Sequence, residues 1–326
     1  MRNRMKNNPS FPIKNILVSL IASFIVLNLF CVFYYNVPVH MDCEDGSTDY
    51  VWESNKYYIQ MNEGIGYGKT NNEGYMDRDD YRGEKVNVLI LGTSHLQGLS
   101  VPLNDNVSSL LQEMLQENVY NLAIAGHNLK VIISNLKDAL EKYHPDTVVM
   151  ETNNVSFTNN EIKTVLNEAV PQIASGNEGL VGLLQRSPFL RLAYSQFQSF
   201  IAEEREPKKD KDYAGEEKIN ELLKLIARIC EPYECRTVIF YHPTTSLDHN
   251  GNIIVNTDER TGIWSRLCQE NGILYLDMSE KYLKEYRNNM ILPYGFINTE
   301  IGTGHLNRHG HRMIAEELFR ILKEEN

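Results

Sequence analysis

From Val86 onward the chain alternates between two hydrophobic rhythms. Short, β-branched apolar runs read as buried strands at Val86–Leu91, Val119–Ile124, Asp146–Glu151, Arg236–Tyr241 and Ile273–Asp277. Helical stretches fall between and after them, at Val107–Gln116, Leu129–Lys142, Glu217–Cys230, Asp258–Asn271 and Asn307–Lys323. Alternation of this kind predicts βαβ units, and therefore an α/β domain with a parallel five-stranded sheet covered by helices on both faces. One interval breaks the rhythm. Between Glu151 and Arg236 lies far more chain than one crossover needs, which predicts a helical insertion over about 156–216. It has helices at Glu161–Ile173 and Leu180–Ala202 and a charged tract, Glu203–Asp212, expected to form a loop. Its apolar helix is expected to pack on the domain as an extra layer; a lid, or a face resting on a membrane, is the alternative.

Before Val86 the pattern differs. An apolar run from Asn15 to Tyr35 is long enough to cross a hydrocarbon core as a helix, and Arg2, Arg4, Lys6 and Lys14 precede it. The run is long for a cleaved signal peptide, and Tyr35-Asn36-Val37-Pro38 offers no small-residue cleavage site. The organisation expected is a cytoplasmic tail (1–14), a transmembrane signal anchor (15–35), an extracytoplasmic stalk or entry segment (36–84), and the α/β domain (85–326). That places the protein in the cell membrane as a single-pass chain with its C-terminal domain extracytoplasmic. Residues 36–84 show no sustained apolar period.

Composition adds two limits. The chain of 326 residues, 42% hydrophobic, is large enough for a substantial core, and its net charge of −11 without a long basic stripe argues against nucleic acid. Of the five cysteines, Cys230 and Cys235 are close together, but their spacing is not that of a zinc pair; a local disulfide and two free thiols both remain open.

The candidate chemistry sits at the carboxyl ends of the predicted strands, the edge where open α/β sheets bind ligands. Leu91-Gly92-Thr93-Ser94 ends the first strand in a small-residue turn that presents Ser94, although a serine there also suits a helix cap. Ala125-Gly126-His127 follows the second strand and Glu151-Thr152-Asn153-Asn154 the third. Gly304-His305-Leu306-Asn307 precedes the last helix, with Asn307 as its expected N-cap. Together these supply a hydroxyl nucleophile (Ser94), a base (His305) and three oxyanion donors: the Ser94 and Gly126 N–H groups and the Asn153 amide. Acyl transfer needs that set. His305, His309 and His311 lack a fourth ligand, so no metal site is expected, and no cofactor is required. His95, His127, Asn154 and His242 flank the site as candidate substrate contacts.

The order Gly-x-Ser, then Gly, then Asn, then His resembles the SGNH (GDSL-type) hydrolase superfamily. Asn71-Asn72-Glu73-Gly74-Tyr75 and Tyr241-His242-Pro243 resemble further segments of its membrane-anchored members. The resemblance runs from about Asn71 to the end. It implies a flavodoxin-like three-layer α/β/α fold and ester hydrolysis or acyl transfer, with Ser94 as nucleophile, His305 as base, and an oxyanion hole from Ser94, Gly126 and Asn153. It also implies a substrate among O-acyl (O-acetyl) groups of cell-surface polysaccharide or another acylated glycan, with other envelope biosynthesis proteins as partners. Three positions depart from the family: Thr93 and Asn154 where Asp is usual, and Gly302 where the family's His-orienting Asp would stand. Glu300 is the nearest replacement acid; a backbone carbonyl or a Ser–His dyad are the others. Loss of that acid favours an alternative, a catalytically inactive binding protein of a glycan assembly system.

Overall fold

The computed structural model describes residues 13–42, 50–167, 186–203 and 212–324. Five parallel strands form the central sheet: β1 (Val88–Leu91), β2 (Val119–Asn121), β3 (Thr147–Thr152), β4 (Arg236–Tyr241) and β5 (Leu274–Asp277), in the spatial order β5-β4-β3-β1-β2. Side chains alternate across each strand, so the sheet buries two separate apolar layers. On one face Leu89, Leu91, Val148, Met150 and Ile239 pack against Leu129–Tyr143 (α4), Glu216–Cys230 (α7) and Thr261–Glu270 (α8). On the other, Val88, Ile90, Val149, Val238 and Phe240 pack against Val107–Leu115 (α3), Ser279–Asn289 (α9) and Arg308–Glu324 (α10). This is the expected three-layer α/β/α arrangement. Helix α9 was not foreseen: its residues are mostly charged or polar and only Tyr282 and Tyr286 are buried, too few to give a periodic signal.

Residues 13–34 (Ile13–Tyr34, α1) form one helix, long and apolar enough to cross a membrane, with mean hydropathy 2.7. The expected stalk is, where described, folded chain. Tyr35–Asn36 continues directly from α1 and pairs antiparallel with Tyr57–Gln60, which pairs in turn with Gly66–Lys69. Asn71 then closes a turn by accepting the N–H groups of Glu73 and Tyr75, and it donates to the Tyr120 hydroxyl on β2 at 2.7 Å. Asp77 accepts the Asn121 N–H along the free edge of β2, where burial pushes its carboxyl up to about 7. The entry segment is thereby fixed to the sheet edge. Stretches with little apolar periodicity hold their shape here through side-chain-to-backbone hydrogen bonds, which hydrophobic patterning does not report.

Of the insertion expected over 156–216, residues 168–185 and 204–211, including nearly all of the charged tract, lie outside the described residues. A first helix (α5, Asn159–Leu166) carries a capping box between Thr158 and Glu161 and packs on the domain. The second described helix (α6, Pro188–Glu203) packs beside α1 and Tyr35–Asn36 rather than forming an extra layer on the sheet domain. Cys230 and Cys235 are both free thiols.

Candidate active site

Strand β1 runs into Gly92, whose missing side chain matters: a Cβ there would lie 2.6 Å from the Glu151 carboxylate. Thr93 then starts a one-turn helix (α2, Ser94–Gln97). Thr93, not Ser94, is its cap, accepting the His95 N–H at 3.2 Å. That division of labour leaves the Ser94 hydroxyl free for chemistry. Glu151, at the end of β3 and fully buried, holds the turn from below. One carboxylate oxygen accepts the Thr93 N–H at 2.5 Å, and the other accepts the Thr93 hydroxyl at 2.7 Å and faces His242 Nε2 at 2.6 Å. His242 Nδ1 meets the Tyr294 hydroxyl at 2.6 Å. The turn that carries Ser94 thus has Thr93 joined to a carboxylate from the neighbouring strand.

His305 comes to Ser94 across the sheet edge: its Nε2 is 3.0 Å from Ser94 Oγ. The ring is oriented by Glu63, from the entry segment. Glu63 Oε2 lies 2.7 Å from His305 Nδ1, and Oε1 accepts the His305 backbone N–H at 2.8 Å. Burial opposes ionisation of Glu63, but the hydrogen bonds and charge of His305 outweigh it and hold the carboxyl below its ordinary value. The two segments are built to meet. Gly304, at φ +82°, carries no Cβ where one would lie 2.6 Å from Glu63 Oε1. Asn298 accepts the Gly64 N–H at 2.9 Å and donates to the Met61 carbonyl at 2.8 Å, tying the loop before His305 to the loop that carries Glu63. On the other side, Gln60 donates to the Glu63 carbonyl and accepts its N–H. As expected, Asn307 caps α10, accepting the N–H groups of His309 and Gly310.

Glu300 is not the orienting acid. It is exposed, and Glu63 occupies the place against Nδ1. The reason Gly302 is not Asp is also visible. Its φ is +87°, a left-handed conformation that strains any other residue, and its carbonyl accepts the Thr245 hydroxyl at 2.6 Å. Glu63 was missed because 242 residues separate it from His305 in sequence. The available signal was the run Glu63-Gly64-Ile65-Gly66-Tyr67-Gly68, where glycines crowd a segment otherwise read as a stalk.

The other expected residues divide. Gly126 (φ +89°) and Asn153 are both exposed, in the loops after β2 and β3, the two strands that flank β1. Asn154 is exposed, with its side chain accepting the Ser156 N–H in its own turn. Of the histidines that are candidate substrate contacts, His242 and His127 are buried and His95 is half-buried. His242 is fully buried in the Glu151 network, and His127 is 9% exposed at the foot of α4. The His95 ring packs between those of His242, at 4.9 Å, and His305, at 5.0 Å. Burial, with the neighbouring His242, His305 and His311, drives the His95 pKa well below the ordinary value, so it stays neutral beside Ser94 and His305. His311, also fully buried, is held neutral in the same way, at about 3. Among the described residues no group of three or more His, Cys, Asp or Glu is arranged to hold a metal ion.

No family model and no curated protein matches this sequence. Solved structures similar to it include an acetyl xylan esterase, AlAXEase (15% identity, 73% of this chain and 100% of that one, TM-score 0.41). A catalytic mutant of the acetylxylan esterase Axe2 from Geobacillus stearothermophilus is 12% identical over 74% of this chain and 97% of that one, with a TM-score of 0.41. The psychrotrophic esterase EstA from Pseudoalteromonas sp. is 13% identical over 74% of this chain and 98% of that one, with a TM-score of 0.40.

Proposed function

We propose that this chain is an SGNH-type serine ester hydrolase or acyltransferase, held outside the cytoplasm by α1 and acting on O-acyl groups of a cell-surface glycan. The observation that carries the reading is the Ser94–His305–Glu63 line, with successive contacts of 3.0 and 2.7 Å. His305 Nε2 takes the proton as Ser94 Oγ attacks the acyl carbonyl, and Glu63 fixes the tautomer by accepting from Nδ1 and stabilises the imidazolium. The developing oxyanion is met by the Ser94 and Gly126 N–H groups and the Asn153 amide. Collapse of the tetrahedral intermediate transfers that proton from His305 to the departing alkoxide and leaves an acyl-Ser94. Water or a sugar hydroxyl then attacks, giving its proton to His305, and the released Ser94 recovers a proton in turn. Glu63 supplies the carboxylate whose absence at Gly302 was the main ground for a non-catalytic binding protein. The net charge of −11 disfavours polyanionic acceptors and suits a neutral glycan or a small acyl donor.

A fluorophosphonate probe tests the reading directly. Covalent labelling is expected on wild-type protein and absent from Ser94→Ala. Folded wild-type protein that does not label would overturn it. Asn153→Ala is expected to lower kcat on a chromogenic acetate ester by about 10²–10³-fold, the usual cost of one oxyanion donor. An unchanged kcat removes Asn153 from the hole.

A further inference from the structure

The outer end of α1 is tied to the catalytic chain by side chains that lie well inside the helix. Asn28 is the only amide side chain between Ile16 and Tyr34. Its Nδ2 bonds the Phe24 carbonyl at 2.8 Å, and its Oδ1 accepts the Ser187 hydroxyl at 2.5 Å. Ser187 is itself the start of α6, accepting the Leu190 N–H. One turn in, the Phe189 ring meets Phe24 edge-on at 6.1 Å. Further along α6, Arg191 donates to Asn36 at 3.1 Å, just beyond the end of α1. Helix α6 therefore starts beside Phe24–Asn28 and climbs to the level of Asn36. At 1.5 Å per residue, Asn28 lies about 9 Å and Phe24 about 15 Å below Tyr34.

We propose that the first turns of α6 enter the outer leaflet beside α1, so that the catalytic domain is docked on the bilayer rather than suspended from it. This rests on the reading that α1 crosses a membrane with Tyr34 at the outer face. The chemistry of the contacts fits that depth. In hydrocarbon, Asn28 and Ser187 satisfy each other where no water is available. Arg191 reaches its partner at the interface, and the exposed Tyr194 and Phe197 present aromatic rings near it. The site is drawn down with the helix. Tyr35 pairs with Gln60, and Gln60 grips the backbone of Glu63, so the catalytic acid stands a few residues from the membrane end of α1. Ser94 then works on esters presented at the bilayer surface.

Full-length protein in phosphatidylcholine vesicles tests this, with and without lipids brominated in the acyl chains, which quench tryptophan by contact. Trp52 and Trp264 are buried, and the wild-type signal supplies their background. Phe189→Trp and Ala193→Trp are read against Leu20→Trp in α1 and Ile254→Trp on the exposed hairpin of the domain, each protein first shown to label with fluorophosphonate. The proposal expects the added emission of Phe189→Trp to be lost to brominated lipid as fully as that of Leu20→Trp. Ala193→Trp should be quenched less, and Ile254→Trp not at all. Quenching of Leu20→Trp without Phe189→Trp overturns the docking and leaves the span standing. Absence of quenching at Leu20→Trp overturns the span itself, and the docking with it.

Discussion

Glu63→Gln is expected to lower kcat by about 10³–10⁴-fold, with KM little changed, while Glu300→Gln leaves both near wild type. A glutamine amide can present its NH₂ to His305 Nδ1, which favours the tautomer with hydrogen on Nε2, and that nitrogen then has no lone pair for the Ser94 proton. The effect falls on the chemical step because Glu63 touches the ring and not the substrate. Turnover of a chromogenic acetate ester by the two variants decides between the acids; a wild-type kcat in Glu63→Gln would reduce the site to a Ser–His dyad. The depressed pKa of Glu63 carries a stability consequence with a definite sign. Its contribution is present above the carboxyl's unfolded pKa and is lost as pH falls through the lower folded value.

The second large effect concerns stability. Glu151→Ala removes a fully buried carboxylate and orphans the Thr93 N–H, the Thr93 hydroxyl and one nitrogen of His242. Removing one partner of a buried pair costs about 3–5 kcal/mol, and the low end is used here. For a domain of this size about 3 kcal/mol lowers the thermal midpoint by roughly 6–12 °C. Replacing His242 by Phe in the Glu151→Ala background should cost less than the same replacement in wild type, since the contact the two share is already lost. Strict additivity in that cycle would show that the pair does not hold the nucleophile turn as a unit.

The sheet, Ser94 and His305 were legible in the sequence for one physical reason. Parallel strands with both faces buried must be apolar throughout, so their ends are sharply marked; Ser94 follows one such end, and His305 precedes the equally periodic last helix. Gly302 misled because its absence of a carboxyl says nothing about where else one is supplied. Glu63 reaches His305 through tertiary docking, by Asn298, Gly304 and Gln60, and no local period encodes such a meeting. His95 adjoins Ser94 in sequence and His242 follows the end of β4, yet one packs against the His305 ring and the other meets a buried carboxylate. Helix α6 was legible as amphipathic, but the identity of its partner, α1, was not.

The strand pairing of Tyr35–Asn36 with Tyr57–Gln60 makes the customary domain boundary the wrong place to cut. A soluble fragment beginning at the first sheet strand would keep Ser94 and His305 facing each other and leave the acid behind. A cut anywhere between Glu63 and the first sheet strand would do the same, parting Glu63 from Ser94 and His305. Inactivity of such a fragment would then report a missing carboxylate, not a missing substrate.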